Sequence, residues 1–250
     1  MTSQANRLDL CLVMPVYNES ECIVDVLEAW AAMLEGLDID FKMIILNDGS
    51  TDSTAETLTA YDNHSRIQII NKVNGGHGPT ILMGYRQAVT EANWVFQVDS
   101  DNEMGPEHFH KLWGKRSKYD ALFGYRDLRQ QNAGRKFISI CSRCIVKLLF
   151  GTGVQDVNTP YRLIRSDILK RAIATIPDDT FAPNVIVSGA LNLSGRDIFN
   201  MPVAHKHRTT GTVSIVKWKL WKAAFRAACQ TLLFRLRMDT KFLQGIVEET

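Results

Sequence analysis

Short apolar runs that alternate with helix-like stretches constrain this chain more than any other feature. LDLCLVM, FKMIIL, RIQII, NWVFQV and DALFGY are continuous runs without polar alternation, as expected of strands buried on both faces. Amphipathic segments at 21–33, 53–61, 80–91 and 106–115 predict intervening helices, with Ser20 as the cap of the first. Repetition of strand, helix, strand predicts an α/β fold: a doubly wound, mostly parallel sheet covered on both faces. Ligands of such sheets bind beyond the carboxyl ends of the strands.

Four segments follow the first four strands: PVYNES, NDGSTDST, NKVNGGHGPT and DSDNE. All are polar, glycine-bearing or acidic, and the topology brings them to one rim, which predicts a single crevice. In the last of them, strand alternation sends Asp99, Asp101 and Glu103 to one side of an extended chain. Three gathered carboxylates need a cation. Oxygen-only ligands select a hard divalent ion, Mg2+ or Mn2+, whose remaining positions go to water and substrate phosphates. The alternative is a solvated acidic turn before the helix near Pro106. NGGHGPT supports a phosphate ligand, because glycines allow close backbone approach and the helix that follows attracts anions. His77 lies in that loop, either touching phosphate or exposed.

The first strand is followed by no glycine, which argues against a dinucleotide fold, and no Gly-rich lysine loop of the P-loop type is present. A nucleotidyltransferase would also want glycines after that strand.

Beyond residue 124 the pattern changes. FISICSRCIVKLLFG reads as an apolar helix, DVNTPYRLIR as a turn and short strand, 166–174 and 183–192 as helices, and DIFNMPV as a last strand. Residues 214–238 contain no acidic residue but six of Lys and Arg up to Arg237, with Trp218, Trp221, Phe225, Ala228 and Leu232 at helical spacing. This predicts a basic amphipathic helix that lies on an anionic membrane surface or packs on protein. The expected division is an α/β domain at 1–212 and this tail at 213–250.

Near-balance of 29 basic and 27 acidic residues gives no signal for nucleic acid. Five cysteines, an odd number without a framework, fit reduced thiols and a cytoplasmic setting. Cys141 with Cys144, and His205 with His207, lack the further ligands a zinc site needs. The sequence predicts no secretory leader and no window of about 20 uncharged apolar residues.

VMPVYNES, NDGSTDST, NGGHGPT and VDSDNE together resemble the nucleotide-binding half of family 2 glycosyltransferases, whose fold is the Rossmann-like GT-A variant of the doubly wound sheet. GYRDLR, RKFISICSRCIVKLLFG, DVNTPYRLIR and HKHRTTGTVS resemble the branch that contains dolichyl-phosphate mannose synthase and related polyprenyl-phosphate glycosyltransferases. The resemblance implies that Pro15, Tyr17, Glu19 and Asp48 hold base and ribose, and that Asp99, Asp101 and Glu103 form the metal and diphosphate site. It implies that Arg126, Arg135 and Arg208 meet donor diphosphate or acceptor phosphate. Asn47 stands where many relatives carry an aspartate, and Glu103 where mannose synthases commonly carry glutamine. Asp156 begins the acceptor-side motif and is either the base, an acceptor-orienting residue or an ordinary turn aspartate.

The expected activity is therefore inverting, metal-dependent transfer from a GDP- or UDP-linked sugar to a polyprenyl phosphate, by a protein peripheral on the cytoplasmic membrane that can borrow a membrane-protein partner. The alternatives are transfer to a hydroxyl of a glycan, lipid or protein, and a silent adaptor that binds nucleotide sugars.

Overall fold

Residues 7–126, 147, 149–151, 153–204, 226 and 228–236 are described by the computed structural model. The predicted apolar runs all form strands: β1 (Leu8–Val16), β2 (Phe41–Asp48), β3 (Ile67–Lys72), β4 (Ala92–Gln97) and β5 (Ala121–Tyr125). With β6 (Arg162–Arg165) and β7 (Ile198–Pro202) they make a seven-stranded sheet in the order β3-β2-β1-β4-β6-β5-β7. β1 lies parallel to β2 and β4, and β2 to β3. β6 inserts antiparallel between β4 and β5, while β7 runs parallel to β5 at the edge.

Strand alternation divides the core between the two faces of the sheet. Leu10, Leu12 and Met14 of β1 pack with Val26, Leu27 and Trp30 of α1 (Ile23–Glu35). Cys11 and Val13 point the other way, to Ile81, Leu82 and Tyr85 of α3 (His77–Glu91). On α3's side the cover is completed by α5 (Ser166–Ile173) and α6 (Pro183–Leu193). An aromatic group fills the α1 side, with Trp30 5.2 Å and Phe109 4.7 Å from the Phe96 ring centroid.

Local boundaries depart from the sequence expectation in physically clear ways. Ser20 does not cap α1: its hydroxyl donates to Asp52 at 2.8 Å, and the helix starts at Ile23 with no side-chain cap. The segment predicted at 53–61 is a short helix α2 (Thr54–Leu58) that tightens into a 3-10 turn at Thr59–Tyr61. α3 starts three residues before Thr80, because Pro79 is tolerated in a first turn, where its missing N–H has no helical partner. The segment predicted at 106–115 is a 3-10 turn at Pro106–His108 followed by α4 (Phe109–Trp113).

Helical residues 228–236 pack on the domain. Phe234 joins the core on α3's side and Thr231 is buried, while Leu232, Leu233 and Leu236 are exposed. Trp218, Trp221 and Phe225 of the expected amphipathic stripe lie outside the described residues, as do Cys141, Cys144, His205 and His207. Among the described residues, Cys11, Cys22 and Cys229 form no disulfide. Among the described residues no helix is long and apolar enough to cross a membrane.

Candidate active site

The chain order reverses between β1 and β4: β2 and β3 lie on one side of β1, β4 on the other. Such a switch point opens a crevice at the carboxyl ends of the strands. A cavity of about 460 Å3 lies there, and all four anticipated loops line it. Pro15, Val16, Tyr17 and Glu19 come from the β1 end, Asp48 from β2, Asn74, Gly76 and His77 from the loop after β3, and Asp99, Ser100 and Asp101 from β4.

Hydrogen bonds stitch these loops into one wall. Asn18, at φ 55, accepts the Thr51 N–H at 2.7 Å and donates its own N–H to Ser50 Oγ at 3.0 Å. Glu19 N–H donates to Thr54 Oγ1 at 2.8 Å. Asn47 is buried and faces away from a ligand role: its side chain donates to Asn71 Oδ1 at 2.8 Å and accepts from Ser50 Oγ at 2.6 Å. Asn47 thus braces the loops without lining the cavity.

Asp48 organises the glycine loop. Gly75 and Gly76 N–H donate to its two carboxylate oxygens at 2.8 and 2.9 Å, and Lys72 Nζ binds the same carboxylate. Burial pushes the Asp48 carboxyl up, but the hydrogen bonds from Lys72, Gly75 and Thr80 and the Lys72 charge outweigh it and hold the pKa below its usual value. Close packing here requires glycine. Gly49 sits at φ +66, and a Cβ on it would stand 2.6 Å from Asn74 N. A Cβ on Gly78 would stand 2.2 Å from Phe181 O.

The start of α3 therefore abuts the 180–181 backbone, and Phe181 enters the cavity wall. The C-terminal helix secures that loop: Phe181 N–H donates to Gln230 Oε1 at 2.8 Å, and Arg226 lies 3.6 Å from Asp179. With Gly76 as cap and no acidic residue in its first turn, α3 turns its amide end to the cavity, an arrangement suited to anions.

Asp99, Asp101 and Glu103 do not gather around one point. Among the described residues no three His, Cys, Asp or Glu side chains form a group that could hold a metal ion. The chain after β4 is not extended: Asn102 adopts φ 57, and Glu103 N–H folds back onto Asp101 Oδ1 at 3.1 Å. Alternation fails there, so Asp99 and Asp101 line the cavity while Glu103 does not. Two carboxylates still suit Mg2+ or Mn2+, which takes one or two protein carboxylates and completes its shell with phosphate oxygens and water. Asp99 and Asp101 fit such an ion.

Arg126 and Asp156 stand beside this loop. Arg126 Nε donates to Asp156 Oδ2 at 3.0 Å, and Asp156 Oδ1 accepts from Asn158 N–H at 3.3 Å. Burial pushes the Arg126 pKa down, yet Asp156, and then the charges of Asp99 and Glu103, push it above its usual value. Asp156 thus serves as a turn aspartate and as the partner of an arginine. Neither residue lines the cavity itself, and Arg135 and Arg208 lie outside the described residues. Sequence reasoning missed Phe181, which no motif marks, and the role of Lys72, which stands in the NKVNGGHGPT segment without a function assigned to it.

Residues 11–173 match the model of the family described as "Glycosyl transferase family 2". The chain belongs to this family. It is 28% identical over 204 residues to the undecaprenyl-phosphate 4-deoxy-4-formamido-L-arabinose transferase of Pseudomonas paraeruginosa, covering 80% of this chain and 58% of that relative. To the same-named Proteus mirabilis protein it is 28% identical over 205 residues, covering 80% and 60%. The family 2 chain thus spans about three fifths of the length of these relatives. Its fold is that of glycosyltransferases of known structure. Glucosyl-3-phosphoglycerate synthase from Mycobacterium tuberculosis, in complex with Mn2+, UDP and phosphoglyceric acid, superposes with TM-score 0.66 at 18% identity, over 93% of this chain and 80% of that one. S. aureus TarS with UDP-GlcNAc gives 0.61 at 16% identity, over 96% and 70%.

Proposed function

We propose that this family 2 glycosyltransferase moves a sugar from a UDP-linked donor to a polyprenyl phosphate, with inversion at the anomeric carbon and with Mg2+ or Mn2+ held by Asp99 and Asp101. The observation that carries the proposal is the cavity at the switch point, where those two carboxylates share one wall with the amide end of α3. A donor diphosphate needs a cation and N–H donors side by side. The UDP and Mn2+ bound to the mycobacterial synthase support the donor reading, and the names of the undecaprenyl-phosphate relatives support the acceptor.

When bound, the divalent ion would neutralise charge that develops on the leaving diphosphate. The chain's own residues supply the rest. Pro15, Tyr17, Glu19 and Asp48 wall the base and ribose side of the cavity. The His77 end of α3 faces the phosphates with its dipole and the His77 peptide N–H, the Gly76 N–H being held by Asp48. Arg126 adds a fixed positive charge beside the acidic loop, kept in orientation by Asp156; preorganised charge of this kind stabilises a transition state without rearranging. Arg135 and Arg208 complete the proposed phosphate contacts.

A polyprenyl phosphate arrives as an anion and needs no base, whereas a sugar hydroxyl must lose its proton as it attacks. Asp156, with one oxygen on a guanidinium and the other on a peptide N–H, suits a positioning role and favours the anionic acceptor. Residues 1–212 form the catalytic domain in this reading. Residues 213–250 bring it to the cytoplasmic membrane surface, a role supported by the exposed Leu232, Leu233 and Leu236. The test is nucleotide release from UDP- and GDP-sugars, with undecaprenyl phosphate or free sugars as acceptor. Release from a UDP-sugar that depends on undecaprenyl phosphate is expected; release driven by a sugar hydroxyl would overturn the acceptor assignment.

A further inference from the structure

Beneath the cavity, a continuous hydrogen-bonded line of buried side chains ends on Asp99. Gln97 Nε2 donates to Asp99 Oδ1 at 2.9 Å. Asn184 Nδ2 donates to Gln97 Oε1 at 3.0 Å, and Tyr85 OH donates to Asn184 Oδ1 at 2.8 Å. Tyr85 is 1% exposed, Gln97 0% and Asn184 4%, so the Tyr85–Asn184 and Asn184–Gln97 links are shut off from water, while the last link reaches the partly exposed Asp99. The line joins α3, α6 and β4, elements that are distant in sequence.

The direction of every bond follows from the carboxylate. An ionised Asp99 can only accept, so Gln97 must turn its NH2 group to it and its carbonyl to Asn184. Asn184 must then donate to Gln97, which leaves its own carbonyl for the Tyr85 hydroxyl. Burial pushes the Tyr85 pKa up, so the hydroxyl keeps the proton it donates. Donors aligned in one direction polarise one another in a low-dielectric interior. Arg162, fully buried, closes the far side. It donates to Asn184 O at 3.1 Å, to Thr159 O at 2.9 Å and to Val157 O at 3.1 Å.

We propose that Gln97, Asn184 and Tyr85 are positioning residues that act through Asp99: they hold one carboxylate oxygen so that the other is presented to the donor diphosphate and its cation. The proposal rests on the donor reading above. Its energetic logic is that of outer-shell partners of a metal-binding carboxylate, whose loss typically costs about 10–100-fold in affinity. Arg162 ties the same line to the turn that carries Asp156, so one buried guanidinium underlies both Asp99 and the Arg126 partner Asp156.

A double-mutant cycle with two readouts tests the relay. In calorimetric titrations of UDP with Mn2+, Gln97→Leu weakens binding by roughly tenfold in the Asp99 background and less than twofold in Asp99→Asn. A merely structural role for Gln97 would give the same factor in both backgrounds, and that result overturns the proposal. Tyr85→Phe, which removes one hydroxyl and keeps the shape, is expected to repeat the pattern at about twofold to threefold should Gln97→Leu fold poorly. Crystal structures of wild type and variant supply a readout independent of nucleotide: Asp99 is expected in one rotamer in the wild type and in several in Gln97→Leu or Tyr85→Phe. Asp99 unmoved in both variants overturns the relay. Released Asp99 in a protein that binds no nucleotide would instead overturn the donor reading and leave the relay standing.

Discussion

Arg126 Nε donates to Asp156 Oδ2 at 3.0 Å, which ties the end of β5 to the turn before β6. In the proposed reading Asp156 acts on the reaction through Arg126, so their substitutions should not add. Asp156→Ala lowers kcat/KM by about 10–100-fold, the loss expected when a charged group is left unaligned. Arg126→Ala lowers it further, and the double variant is no worse than Arg126→Ala alone. Steady-state nucleotide release measures all three. Additive losses would give Asp156 a separate role.

Lys72 offers a stability test with a defined sign. Lys72→Met leaves the buried Asp48 carboxylate short of its cationic donor, at an expected cost of about 1–3 kcal/mol and a Tm lower by roughly 2–10 °C. The folded-state pKa of Asp48 lies below its ordinary value of 3.8. The stabilisation it supplies is therefore complete above about pH 4 and is lost as pH falls through the lowered folded-state value. Thermal melts between pH 2 and 7 should show that acid slope in the wild type and a shallower one in Asp48→Asn.

Gly78→Ala brings a methyl group against Phe181 O, a backbone atom that cannot rotate away. Overpacking of this kind costs about 1–3 kcal/mol, and here the strain falls on the loop that lines the cavity. Both Tm and UDP affinity are expected to drop. A substitution at Gly195, whose added Cβ would meet nothing within 4 Å, is the control that tests conformation without crowding.

Much of this site was legible because its parts are set by local pattern. Short continuous apolar runs bounded by polar turns read as strands buried on both faces, and their order with helices between them brings the four loops to one rim. Asp99 and Asp101 follow directly from β4. Glu103 did not, because the left-handed Asn102 is a local turn that a period-of-two reading cannot see. Antiparallel insertion of β6 was equally hidden: the pattern of RLIR, two apolar residues between arginines, carries no direction, and pairing between β4 and β5 is a long-range choice. Phe181, Lys72 and the Tyr85–Asn184–Gln97 line depend on contacts between distant segments and leave no spacing to detect.

The exposed leucines of the C-terminal helix give a membrane prediction. Leu232, Leu233 and Leu236 are 45%, 52% and 74% exposed, while Thr231 and Phe234 fasten the opposite side of the helix to the domain. Burying a leucine is worth about 1.5–3 kcal/mol, so replacing all three by serine should lower partitioning onto anionic vesicles by at least about tenfold. Cosedimentation measures this. Nucleotide release with a water-soluble, short-chain prenyl phosphate should be unchanged, since none of the three touches the cavity.

Donor binding at the acidic wall is tested most directly by calorimetric titration of UDP into the wild type, Asp99→Asn and Asp101→Asn, each with and without Mn2+. The expected result is tight binding to the wild type only with Mn2+, and in both variants weaker binding that Mn2+ no longer improves. Mn2+-enhanced binding that survives unchanged in both variants would contradict it.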